Sequence, residues 1–111
     1  MKTIFEQIID GKIPSKKYFE DDEILVIQDI YPVAKVHVLI IPKEPFKNLQ
    51  DVPKEKLGLM IKVVDVAQKM ALAFEIQNSY RLVTNNGQEA GQEIFHLHFH
   101  LIGGEPLGPL A

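Results

Sequence analysis

The sequence predicts an α+β domain: a five-stranded antiparallel sheet with one short N-terminal helix and one long amphipathic helix. Three observations carry this reading. Periodic segments follow the order helix, three strands, long helix, two strands. Hairpin-length links stand on both sides of the long helix, which favours antiparallel pairing with both helices on one face of the sheet. The stretch His96-Leu97-His98-Phe99-His100 alternates histidine with apolar residues, the period of a strand. At 111 residues the chain reads as a single domain, residues 1–111, able to bury on the order of two thirds of its unfolded surface.

Each element has a local cause. Thr3-Ile4-Phe5-Glu6 fits a capping box, so a helix is expected to run to about Asp10 and stop at Gly11. Its apolar residues Ile4, Phe5 and Ile8, with Ile13 beyond, are expected to pack on the sheet. Lys16 to Phe19 and Glu23 to Gln28 read as a hairpin around Asp21-Asp22, and Asp29-Ile30-Tyr31-Pro32 as a turn. Val36 to Ile41 is a third strand, with His37, Leu39 and Ile41 on one face. Leu57, Met60, Ile61, Val64, Ala67, Ala71 and Phe74 recur at helical spacing, which predicts the long helix from about Pro53 to Phe74. Tyr80 to Thr84 is a fourth strand, Asn85-Asn86-Gly87 a turn, and the histidine strand is the fifth, ended by Gly103-Gly104.

Composition removes whole classes of function. The chain has no cysteine, which excludes disulfides, thiolate metal sites and cysteine nucleophiles. Glu6 and Asp10 fall where a signal peptide needs an apolar core, and the longest apolar runs are strand-length, so a cytoplasmic protein without a membrane segment is expected. Net charge is -3, the lysines are scattered and Arg81 is the only arginine. A groove for a nucleic-acid polymer is not expected, whereas a single phosphate held by amides and imidazoles is compatible with this charge.

The histidine strand is the candidate active site. Its spacing puts His96, His98 and His100 on one face and Leu97, Phe99 and Leu101 on the other. A metal centre is the rival reading. Residues four apart in a strand have Cα atoms roughly 13 Å apart, too far for both imidazoles to reach an ion at about 2.1 Å with ease. His37 could be a third ligand from a neighbouring strand, yet no carboxylate or cysteine cluster supports it, so a metal is not expected. No cofactor is expected. A neutral imidazole is a competent nucleophile toward phosphorus, and flanking rings titrating near ~6.5 can orient it and exchange protons.

These residues also resemble a known family. Gly91-Gln92-Glu93-Ile94-Phe95-His96-Leu97-His98-Phe99-His100-Leu101-Ile102-Gly103-Gly104 is similar to the signature of the histidine-triad superfamily. Ile4 to Pro14, Asp29 to Pro32, Val36 to Pro42 and the closing Pro106 to Pro109 resemble its other blocks, most closely those of bacterial histidine-triad nucleotide-binding proteins. The resemblance implies hydrolysis of purine nucleoside 5'-phosphoramidates and acyl-nucleotides through a nucleotidyl-histidine intermediate, without a metal, in a homodimer. It implies His98 as nucleophile, with His96, His100 and His37 around it and His100 as proton donor to the leaving group. Asn85 corresponds to a phosphate contact and Asp29 to a ribose-hydroxyl acceptor, and Ile4, Phe5, Ile8, Ile13, Ile27 and Ile30 to the base pocket. Gln92 and Glu93 are expected at the substrate as well. Glu93 stands where animal members have a phosphate-contacting serine, so its backbone amide is the expected contact, and Glu105 stands where many relatives have arginine. His100, where the transferase branch commonly has glutamine, favours hydrolysis. Two alternatives share the pocket: a nucleotide-binding regulatory protein with incidental catalysis, and a dinucleoside polyphosphate hydrolase.

Overall fold

Strands with apolar residues at nearly every position need cover on both faces, and the chain supplies it with one helix per face. The computed structural model describes residues 2–110; Met1 and Ala111, the ends of the expected domain, lie outside them. Helix α1 (Ile4–Ile9) leads to β1 (Lys17–Glu20), β2 (Ile24–Gln28) and β3 (Val36–Pro42). Helix α2 (Leu59–Ala73) follows, then β4 (Tyr80–Val83) and β5 (Phe99–Gly103). All pairings are antiparallel, in the order β1-β2-β3-β5-β4. The predicted fold class holds. Among the described residues no helix is long and apolar enough to cross a membrane.

Ile24 and Val26 of β2, Val38 and Ile40 of β3, and Phe99 and Leu101 of β5 face α2, which turns Val63, Val66, Ala67, Met70 and Ala71 onto them. The alternate residues Leu25, Ile27, Leu39 and Ile41 face α1, through Phe5 and Ile8. The helices therefore lie on opposite faces, not on one as expected. The physical reason is the unbroken apolar run in β2 and β3, which strands buried on both sides carry.

Helix α1 begins as its sequence dictates: Thr3 Oγ1 accepts from the Glu6 amide at 3.2 Å and the Glu6 carboxylate accepts from the Thr3 amide at 3.1 Å. Helix α2 departs from expectation. Lys54–Lys56 forms a 3-10 turn, Gly58 offers no side-chain cap, and the α-helix starts only at Leu59. Of its expected inner stripe, Leu57, Ile61 and Val64 are exposed, Ile61 by 77%. The helix is apolar around most of its circumference, so period alone does not choose the buried stripe. The sheet takes the i, i+3, i+4, i+7, i+8 set starting at Val63.

The fifth strand is also shorter than expected, starting at Phe99 rather than His96. Ahead of it Pro42 has no amide to donate, and its carbonyl is taken by the His96 ring at 2.7 Å. Leu97 instead bonds through its amide to the Phe46 carbonyl at 2.6 Å. Alternation persists without the ladder: Leu97 is buried with Phe99 and Leu101 on the α2 side, while His96 and His98 both pack edge-on against Phe5 of α1.

Candidate active site

Central placement of β3 beside β5 sets Leu39 opposite His100 and His37 opposite Ile102, so His37 and His100 are diagonal neighbours on the α1 face. Their rings meet, His37 Nε2 lying 2.9 Å from His100 Nδ1. His98 stands next to His100, with ring centroids 5.3 Å apart.

The hydrogen bonds fix where each neutral ring carries its proton. His98 Nδ1 lies 2.7 Å from the His96 carbonyl. A carbonyl only accepts, so Nδ1 holds the hydrogen and Nε2 keeps its lone pair. The same logic gives His96 a proton at Nε2, donated to the Pro42 carbonyl. His37 Nδ1 accepts from the Val33 amide at 3.1 Å, so its proton sits at Nε2 and is offered to His100 Nδ1 and to Asp29 Oδ2, 3.2 Å away. His100 then carries its own proton on Nε2. The site pairs one imidazole with a free Nε2 lone pair, His98, with another that presents an Nε2–H, His100.

Burial holds all four histidines below the usual histidine range. His100 is moved furthest, to about 4: burial is the main cause, and the neighbouring His98 and His37 add to it against the pull of Asp29. Near neutral pH the rings are uncharged, as a nucleophilic imidazole requires.

A cavity of about 580 Å³ opens on this face. Its wall includes Ile4, Phe5, Ile8, Ile13, Ile27 and Ile30, together with Asp29, Asn85, Glu93, His98 and His100. Three of the expected site residues do not line it. His37 stands behind His100, His96 is wholly buried under Phe5, and the Gln92 side chain turns inward to the Lys47 and Ile94 carbonyls. Several wall residues were not foreseen, among them Ser15, Lys16, Tyr31, Leu39 and Ile94. Leu39 was readable, since it alternates with His37; Ser15 comes from a loop path that carries no periodic signal.

Asp29, His37 and His100 have the composition of a cation site, their nearest ligand atoms lying within 4.8 Å of one another. The fit fails on protonation. The Val33 amide occupies His37 Nδ1 and leaves the hydrogen on Nε2, the atom that would have to give its lone pair to an ion.

The family model described as the HIT domain matches residues 10–107. A HIT-like protein of Chlamydia pneumoniae is 49% identical over 109 residues, covering 98% of this chain and 99% of that protein. The purine nucleoside phosphoramidase of Escherichia coli K12 is 40% identical over 110 residues, covering 98% of this chain and 92% of the enzyme. Among solved structures, the HIT family hydrolase from Legionella pneumophila Philadelphia 1 superposes with a TM-score of 0.95 at 38% identity, covering 99% of this chain and 100% of that one. The chain belongs to the HIT domain family.

Proposed function

We propose that this protein is a hydrolase that cleaves the P–N bond of purine nucleoside 5'-phosphoramidates, and related acyl-nucleotides, through a nucleotidyl-His98 intermediate. The observation that carries it is the free Nε2 of His98, a lone pair fixed in place by the Nδ1–H bond to the His96 carbonyl and facing an apolar cavity of nucleotide size. The name of the Escherichia coli relative supports the phosphoramidate substrate, and that of the Legionella relative supports hydrolysis.

The purine lies among Ile4, Phe5, Ile8, Ile13, Ile27 and Ile30, the ribose hydroxyls at Asp29, and the α-phosphoryl group beside Asn85, the Glu93 amide and His98. The bound anion draws a proton onto His100 Nδ1, the His37 Nε2–H turns from that nitrogen to Asp29 alone, and the Asp29 carboxylate balances the new charge. His98 Nε2 attacks phosphorus while His100 Nε2–H protonates the departing nitrogen, so the amine leaves neutral and the nucleotide is bonded to His98. His100 Nε2, now unprotonated, takes a proton from water as that water attacks phosphorus. The P–N bond to His98 breaks, the nucleoside monophosphate is released, and both rings return to their starting protonation. No step calls for a metal.

The assembly we infer is a homodimer. Edge strand β4 and the exposed Ile61, Val64 and Leu72 of α2, with Leu57 just ahead of that helix, offer a second copy both backbone and apolar surface.

Amine release from an adenosine 5'-phosphoramidate, measured with EDTA present, tests the reading. Turnover by the wild-type chain that falls by about 1000-fold or more in His98→Ala is expected. Equal, negligible rates would leave a nucleotide-binding module, a preference for a diadenosine polyphosphate would move the assignment to that branch, and activity restored only by added metal would revive the cation site.

A further inference from the structure

We infer that Gln92 is a positioning residue that preorganises the phosphate-facing loop, residues 85–91, for chemistry at His98; the inference rests on the nucleotide reading of the site. The side chain is 3% exposed and all of its hydrogen-bonding capacity is used inside the protein. Its Oε1 accepts from the Gly87 amide at 2.9 Å and from Asn48 Nδ2 at 3.5 Å. Its Nε2 donates to the Lys47 carbonyl at 2.6 Å and to the Ile94 carbonyl at 3.1 Å. Its backbone amide closes the loop from the other side, bonding to the Gly87 carbonyl at 3.1 Å.

One amide thus joins the loop at Gly87, the 47–48 segment and the turn that leads into His96. The loop it holds has left-handed backbone at Gly87 and Gly91, with φ of 96° and 97°, and a glycine-rich segment of this kind has many conformations to choose from when unanchored. Gly91 lies against Asn85, and Asn85, Gly91 and Glu93 form the cavity wall beside His98. The apolar end of the cavity is built on α1, with which Gln92 shares no hydrogen bond among the described residues. Loss of the Gln92 side chain therefore releases the phosphate end of the cavity and leaves the base end in place. An ångström of misplacement around a reacting phosphorus costs on the order of 100-fold in rate.

The test compares wild type with Gln92→Met, of similar length but unable to make these bonds. The readouts are kcat/KM for the phosphoramidate, affinity for AMP and for adenosine, and hydrogen exchange of the unliganded protein. The expected result is a fall in kcat/KM of ~10- to 100-fold. AMP affinity falls, adenosine affinity stays within about twofold of wild type, and the Gly87 amide exchanges faster. Equal losses for AMP and adenosine, or unchanged kinetics, would overturn the proposal, since a general structural role moves both ligands together. A wild-type chain that binds neither ligand overturns the nucleotide reading, whereas an unchanged Gly87 exchange rate overturns the anchoring itself. Should Gln92→Met not fold, Gln92→Glu carries the same comparison, because it keeps an acceptor for Gly87 and loses the donors to Lys47 and Ile94.

Discussion

Lowering the pH should destabilise this fold through His100 before most carboxylates titrate. The ring's pKa falls from the usual 6.5 to about 4 on folding, so as pH drops the unfolded chain takes up a proton that the folded chain refuses. The contribution is complete above the unfolded value, is lost as pH falls from 6.5 toward 4, and levels off below that. At 1.36 kcal/mol per pH unit, such a shift amounts to about 3 kcal/mol over the whole window and about 2 kcal/mol between pH ~7 and pH ~5. For a domain of this size that is a sizeable share of total stability. Urea unfolding of wild type and His100→Gln at several pH values isolates the effect, because carboxylates and the other histidines remain in both chains. The glutamine oxygen can still accept from His37 Nε2–H, which keeps the comparison local. The wild-type curve should fall more steeply with acid, by roughly 2 kcal/mol at pH ~5. Parallel curves would refute the reasoning, and with it the uncharged state assigned to this ring.

Three further outcomes follow from the same geometry. Phe5→Ala removes the ring that supports both His96 and His98, and should destabilise the fold by ~3 kcal/mol or more in denaturant melts while depressing turnover. The Glu105 carboxylate accepts from the Lys35 amide at 2.8 Å, fixing the loop whose Val33 amide orients His37. Glu105→Ala should lower kcat by several-fold and Glu105→Gln should restore it, a pattern read from steady-state kinetics. Ile61→Glu, on the outward stripe of α2, should leave the unfolding free energy within ~0.5 kcal/mol yet shift sedimentation toward monomer.

Much of this fold was legible in the chain because its strands and caps obey local rules. The Thr3–Glu6 capping box, the third strand from Val36 to Ile41 and the alternation around the triad were all readable, and each reflects hydrogen bonding or burial set within a few residues. What escaped depends on distant partners. Which stripe of α2 turns inward, and that the helices take opposite faces, is decided by the sheet, since α2 offers apolar residues in several directions. The triad strand starts late because its pairing with β3 stops at Ile40 and Phe99 and the Pro42 carbonyl beyond goes to the His96 ring, which only the fold reveals. In the site, residue types pointed to His98 and its neighbours, but the tautomers rest on backbone groups, the His96 carbonyl and the Val33 amide, that no side-chain pattern encodes. Gln92 illustrates the same limit: its place in the motif suggests a ligand contact, while its partners lie 45 residues away in sequence at Lys47 and close by at Gly87.

The central claim, that His98 attacks phosphorus to form a covalent intermediate, is tested most directly by the stereochemical course at phosphorus. A phosphoramidate made chiral at the α-position would be turned over in isotopically labelled water and the configuration of the product determined. Two successive in-line displacements, at His98 and then at water, predict net retention. Net inversion would mean that water attacks the substrate directly, and would contradict the role assigned to the His98 lone pair.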